Sequence, residues 1–169
     1  PDWVNLGAVG VVVGHDLGHC VDDQGSKYDE KGKVRQWMTA KDVQTFKKRG
    51  EKLVAQFQAA GHDGNLTLGE NIGDLVGVTF ALNAAKKTMP VDPVARQKAT
   101  KNFFLQWARA WCGVMRPKQV EMRLKTDPHA LVWARVNEQM KHQPDFHKVY
   151  SCKAGDKLYL PKDEQVTIW

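Results

Sequence analysis

Two stretches of the chain, Val13-Gly14-His15-Asp16-Leu17-Gly18-His19 and Leu68-Gly69-Glu70-Asn71-Ile72-Gly73-Asp74, carry the residues best suited to chemistry. On a helix, His15 and His19 project from one face about one turn apart. Two imidazole nitrogens so placed can hold one zinc ion, because neutral imidazole is a good zinc ligand at physiological pH. Glu70, early on a second helix, can supply the third ligand and leave a fourth position for water. A carboxylate on an otherwise apolar helix face needs a partner. Asp74 shares that face with Glu70, and Asp22 shares a face with His19. Each can accept the second ring N–H of a metal-bound histidine and fix its tautomer. Asp16 stands where the His-Glu-x-x-His pattern of zinc proteases has glutamate. Its acid–base chemistry is the same, but the side chain is shorter by one methylene, roughly 1.5 Å.

These side chains need two helices brought side by side. Residues 5–21 read as a buried helix, apolar at nearly every position, with Gly7, Gly10, Gly14 and Gly18 at spacings that suit close approach of a neighbouring backbone. Asp22-Asp23-Gln24-Gly25 closes it. Residues 25–36 are polar and turn-rich, which predicts a short hairpin or loop. Thr39 as cap and Asp42 behind it predict a helix running to Ala60, with Val43, Phe46, Leu53, Val54 and Phe57 on one side. After a loop, Thr67 is expected to cap a long helix ending near Thr88, with Glu70 in capping-box position. Further helices are expected over 93–114, 117–124 and 144–150. Asp127-Pro128-His129-Ala130 starts another segment, and the tail from Cys152 to Trp169 reads as irregular. The pattern is mainly α with little strand and no internal repeat.

At 169 residues the chain has the length of one domain, 1–169, with enough apolar content (42%) to bury a core. The net charge of +6 is spread, and acids alternate with the bases where these are densest. That describes a solvated surface, with no recognition module for nucleic acid. Cys20, Cys112 and Cys152 form no Cys-x-x-Cys pair. The longest apolar run, Ala8 to Val13, is too short to span a bilayer, so no membrane span is expected. Pro1-Asp2-Trp3 does not open a signal peptide, and a start so close to the histidines is expected of a piece of something larger.

The segments 14–19, Asp22-Asp23 and Gly69-Glu70-Asn71-Ile72-Gly73-Asp74 together resemble the neprilysin and endothelin-converting-enzyme family of zinc metallopeptidases. Phe104 to Gly113, Thr126 to Ala130, Arg135-Val136-Asn137 and the terminal Trp169 extend the resemblance over nearly the whole chain. It implies a gluzincin-type catalytic segment with two metal-bearing helices, acting on short peptides. It also implies one zinc ion held by His15, His19 and Glu70, with Asp22 and Asp74 orienting the histidines. By the same resemblance His129 stabilises the oxyanion and Arg135 binds the substrate carbonyl near the scissile bond. Cys112 and Cys152 match cysteines that, in the animal ectoenzymes, pair with an N-terminal portion absent here. That portion is expected to be a separate chain, to have been cleaved off, or to have been lost. Extracytoplasmic placement is slightly favoured.

The departures are Asp16, Leu131 where proline is usual, and Glu138 where glycine often stands. A misplacement of about 1 Å in a catalytic group can cost about a hundredfold in rate. The expectation is therefore a zinc-loaded peptidase site with activity reduced or lost through Asp16. The alternative is a catalytically degenerate neprilysin-like protein serving as a structural or interaction subunit of a larger assembly.

Overall fold

In the computed structural model, which describes all 169 residues, the histidine-bearing helix is one continuous run built from several pieces. They are α1 (Asp2–Asn5), a π-helical turn (Leu6–Gly10), α2 (Val11–Gly18) and a 3₁₀ turn (His19–Val21). Leu6, Gly10 and Val11 keep right-handed helical dihedrals at the joints, so the axis continues. Contrary to expectation, the run is buried along one side only. Val11, Gly14, His15 and Gly18 face inward, whereas Val9, Val13 and Leu17 are 68, 55 and 58% exposed. The sequence is apolar on every side, but the neighbouring helices cover a single stripe. By length and composition the stretch Asp2–Lys27 is apolar enough to cross a membrane, although no unbroken apolar run reaches that length. Its inward stripe packs on α4 (Leu68–Thr88) and α5 (Pro93–Ala110).

The central element is α4, whose residues from Asn71 to Val78 are all buried. α2 crosses it backbone to backbone. A Cβ on Gly77 would stand 2.6 Å from the Val11 carbonyl oxygen and 2.7 Å from the His15 nitrogen, closer than real Cβ atoms come. No flexible side chain lies between to give way. Gly77→Ala is therefore expected to force α2 off α4 and to destabilise by about 1–3 kcal/mol, the usual cost of overpacking. For a chain of this size that lowers the thermal midpoint by roughly 2–4 °C per kcal/mol. An unchanged midpoint would contradict the contact.

α5 and α8 (Pro144–Tyr150) close one flank of α4 around Val78, Leu82, Phe103, Trp107, Met140 and Phe146. On the other flank lies α3 (Ala40–Ala59), where Leu53, Ile72 and Leu75 meet Val166 and Ile168 of the tail. α6 (Pro117–Thr126) leads to α7 (Val132–Met140), which packs against α3 and α4. The capping box of Thr39 and Asp42 forms. At α4 the expected cap does not. The Thr67 hydroxyl donates to the Asp63 carbonyl and accepts from Asn71 Nδ2, and Glu70 turns away toward the histidines. α5 stops at Ala110, short of Val114, ahead of Gly113, a poor helix former. Residues 25–36 form a loop carrying one antiparallel bridge, Tyr28 to Val34, and no strand.

The tail lacks regular structure yet is tied down at several points. His142 Nδ1 accepts the Val166 N–H, and Arg49 donates to the Ile168 carbonyl. Trp169 stacks on Phe46, and its indole N–H donates to the Val21 carbonyl at 3.1 Å. The tail thus braces the chain beside His19 and Asp22.

Candidate metal centre

His15 and His19 lie on the stripe of the first helix that faces the start of α4. The His15 ring rests on Gly73, where a Cβ would come within 2.8 Å of Nδ1. The two Nε2 atoms stand 3.0 Å apart. Glu70 reaches between them, with Oε2 at 3.2 Å from His15 Nε2 and Oε1 at 3.7 Å from His19 Nε2. These separations are close to the about 3.3 Å expected between neighbouring corners of a tetrahedron with metal bonds of about 2.0–2.1 Å.

Behind the rings, His15 Nδ1 faces Asp74 Oδ1 at 2.9 Å and His19 Nδ1 faces Asp22 Oδ2 at 2.8 Å. A carboxylate accepts, so each Nδ1 carries a proton, and each ring when neutral presents its Nε2 lone pair. Two lone pairs and a carboxylate converging on one point repel one another unless a positive centre lies among them. Glu70 Oε2 is itself buried, and the groups close to it are imidazole Nε2 atoms, 3.2 Å away on His15 and 3.1 Å away on His129. This donor set fits a divalent cation of the zinc type. Burial opposes a charge on His15, yet with no cation among these groups Asp74 and Glu70 outweigh it and lift the imidazole to about 9, so a metal ion bound at Nε2 would displace a proton. Burial likewise opposes the Glu70 charge, and His15 and His129 more than offset it, holding the carboxyl below its ordinary value.

The supports are themselves supported. Asp22 Oδ1 accepts the backbone N–H groups of Gln24 and Gly25 at 2.8 and 2.7 Å, which fixes the turn after the helix. Asp74 is fully buried and takes a two-pronged bond from Arg135, with Nε to Oδ2 at 2.8 Å and Nη2 to Oδ1 at 2.7 Å. The guanidinium lies 4.0 Å over the Trp111 ring. Arg135 is thus committed to Asp74, with Nη2 still 3.9 Å from Glu70 Oε2.

His129 points its Nε2 at Glu70 Oε2, 3.1 Å away, while its Nδ1 and its backbone N–H both donate to Asp127 Oδ1 at 2.8 Å. Arg123 holds the other oxygen of Asp127 at 2.6 Å. Burial pushes the Asp127 carboxyl up, but the bonds from His129 and Arg123 bring it down to about 2. Asp16 is exposed, and its carboxylate lies within 4.8 Å of the imidazole nitrogens. Glu70 is closer to them and more buried, which makes it the better third ligand.

Sequence reasoning assigned no role to Arg123, Asp127, Trp111 or His62. The Asp-x-His spacing was a usable signal for Asp127. No local signal existed for His62, whose Nε2 accepts the backbone N–H of Leu131, 69 residues further on.

A helix with two histidines, set against a glutamate-bearing helix in a mostly helical fold, defines a gluzincin-type metallopeptidase architecture. Residues 1–166 match the model of peptidase family M13, and the chain belongs to that family. It is 33% identical over 170 residues to the neutral endopeptidase of Lactobacillus helveticus, a match covering 98% of this chain and 25% of that one. With endothelin-converting enzyme 1 of Homo sapiens it shares 35% over 172 residues, covering 95% and 22%. It superposes on the Mycobacterium tuberculosis zinc metalloprotease Zmp1, crystallised with an inhibitor, with TM-score 0.93 and 31% identity over all of this chain and 28% of that one. A chain of the Haemonchus galactose-containing glycoprotein complex matches with TM-score 0.87 and 28% identity, covering 100% and 30%. The chain spans about a quarter of the length of these relatives.

Proposed function

We propose that this chain is the catalytic segment of a zinc-dependent endopeptidase acting on short peptides. In this reading His15, His19 and Glu70 hold one zinc ion. The observation that carries it is the convergence of His15 Nε2, His19 Nε2 and Glu70 within 3.0–3.7 Å, with a carboxylate behind each imidazole. When bound, zinc supplies a Lewis acid that polarises a peptide carbonyl and acidifies water beside it.

The chain's own residues divide the remaining work. Asp16 takes the proton of the attacking water and passes it to the departing amine. His129 donates from Nδ1 to Asp127, and in its doubly protonated form it donates from Nε2 to the carbonyl oxygen as charge builds on it. Asp22 and Asp74 keep the histidine protons on Nδ1. Arg135 clamps Asp74, and its Nη1, not engaged by that carboxylate, is left for a substrate carbonyl. The short reach of Asp16 makes the proton transfer slow. The names of the relatives support a peptidase, and extracytoplasmic placement accompanies this reading.

The expected result is about one zinc per chain and a slow hydrolysis of a short peptide. A chelator stops the hydrolysis and added zinc restores it. A purified chain that retains no zinc contradicts the reading.

The exposed apolar residues Val9, Val13 and Leu17 beside the site favour a second reading, in which another polypeptide covers that face and the chain serves as a subunit. A stoichiometric partner on purification, with zinc but no hydrolysis, would select it.

A further inference from the structure

We propose that His62 is a positioning residue for His129, acting only while its imidazole is neutral; this rests on the peptidase reading above for its catalytic consequence. His62 follows the C-terminal turn of α3 and is buried. Its Nδ1 faces the Ala60 carbonyl oxygen at 3.1 Å, and its Nε2 faces the Leu131 backbone N–H at 3.0 Å. A carbonyl only accepts and an amide N–H only donates. One tautomer satisfies both, with the proton on Nδ1 and the lone pair on Nε2.

Leu131 is the residue before the first turn of α7, and it has no side-chain cap. Its N–H is buried, so His62 is what satisfies it. The segment from Asp127 to Leu131 is then pinned at both ends, by Arg123 on Asp127 and by His62 on Leu131. His129 sits between the two pins and reaches Glu70 from there. The same bond fixes where α7 begins, and α7 carries Arg135 to Asp74.

A proton on Nε2 would turn that atom into a donor facing a donor. The surroundings keep it off. Phe57 and Trp133 pack their rings against His62, 6.2 and 5.4 Å away between centroids. Glu138, itself paired with Lys141, is the charged group that acts on His62 from α7, and the neighbouring Asp63 carboxylate is engaged by the Asn65 and Leu66 N–H groups. Burial lowers the imidazole below its ordinary 6.5, against the pull of the Ala60 carbonyl and Glu138. The lock therefore holds at neutral pH and opens as acid protonates the ring.

The test compares the natural chain with His62→Leu and His62→Gln, all zinc-loaded. Glutamine presents an amide oxygen near the place of Nε2 and does not titrate. In His62→Leu, the Leu131 amide should exchange about a hundredfold faster, the His129 ring resonances should move, and kcat should drop about a hundredfold with zinc affinity unchanged. His62→Gln should recover Leu131 protection and kcat to within about fivefold. In the natural chain the Leu131 protection factor should fall as pH drops below 6.5, and in His62→Gln it should stay flat. Leu131 protection and His129 resonances indifferent to His62→Leu would overturn the proposal. So would a glutamine variant as damaged as the leucine one, or a Leu131 protection factor independent of pH in the natural chain. A natural chain that hydrolyses nothing overturns the peptidase reading alone, because exchange and resonances still judge the lock.

Discussion

Asp16→Glu is expected to raise kcat for peptide hydrolysis about a hundredfold, with zinc content and KM nearly unchanged. Asp16 sits on the outer side of α2, within 4.8 Å of the imidazole nitrogens but with its carboxylate in solvent. Nothing in the fold holds its carboxylate against the imidazoles. The backbone of α2 is pinned to α4 at Gly77, so the helix has no freedom to shift and compensate. One added methylene advances the carboxylate by roughly 1.5 Å, and misplacement by about 1 Å costs on the order of a hundredfold. A change in kcat without a change in KM marks an interaction made only in the transition state. A natural chain already turning over at an ordinary rate of roughly 1–1000 s⁻¹, with no gain from glutamate, would remove the claim that Asp16 impairs the site.

Asp74→Ala should produce the largest loss of stability among single changes near the site. The Asp74 carboxylate is fully buried and neutralises a buried Arg135. Removing one partner of such a pair leaves an uncompensated charge, at a cost of about 3–5 kcal/mol. It also takes the acceptor from His15 Nδ1, so the ring can place its proton on Nε2 and lose its lone pair for metal. Loss of such a support typically weakens metal binding about 10–100-fold. The double variant Asp74→Leu, Arg135→Met separates the two effects. It should regain most of the stability, since the charge is gone as well, but none of the zinc affinity. Denaturant unfolding and a competitive zinc titration read the two quantities. A single variant as stable as the natural chain would show that Arg135 has another anion.

The cluster of His15, His19, Glu70, Asp22 and Asp74 was legible because helical spacing is a local matter. Residues four apart share a face wherever the helix ends up, and the glycine pattern announced that a second helix would come close. The structure brings all five together. What could not be read was anything decided by a distant partner. Thr67 and Glu70 had the spacing of a capping box, but Glu70 is drawn to imidazoles on another helix. Arg135 resembled a group that faces substrate, and nothing local revealed that Asp74 takes two of its nitrogens. The helix of residues 5–21 looked buried because apolar composition states what surface needs cover without saying whether the fold supplies it. His62 was invisible for a related reason. Its partner is a main-chain N–H, which every residue but proline offers.

In the proposed function two imidazoles and one carboxylate share a zinc ion. The zinc K-edge absorption spectrum of the natural chain tests it most directly. One zinc per chain is expected, with two imidazole nitrogens and oxygen ligands at about 2.0–2.2 Å, and loss of that signature in Glu70→Gln. A spectrum without imidazole scattering, or one identical after Glu70→Gln, would contradict it.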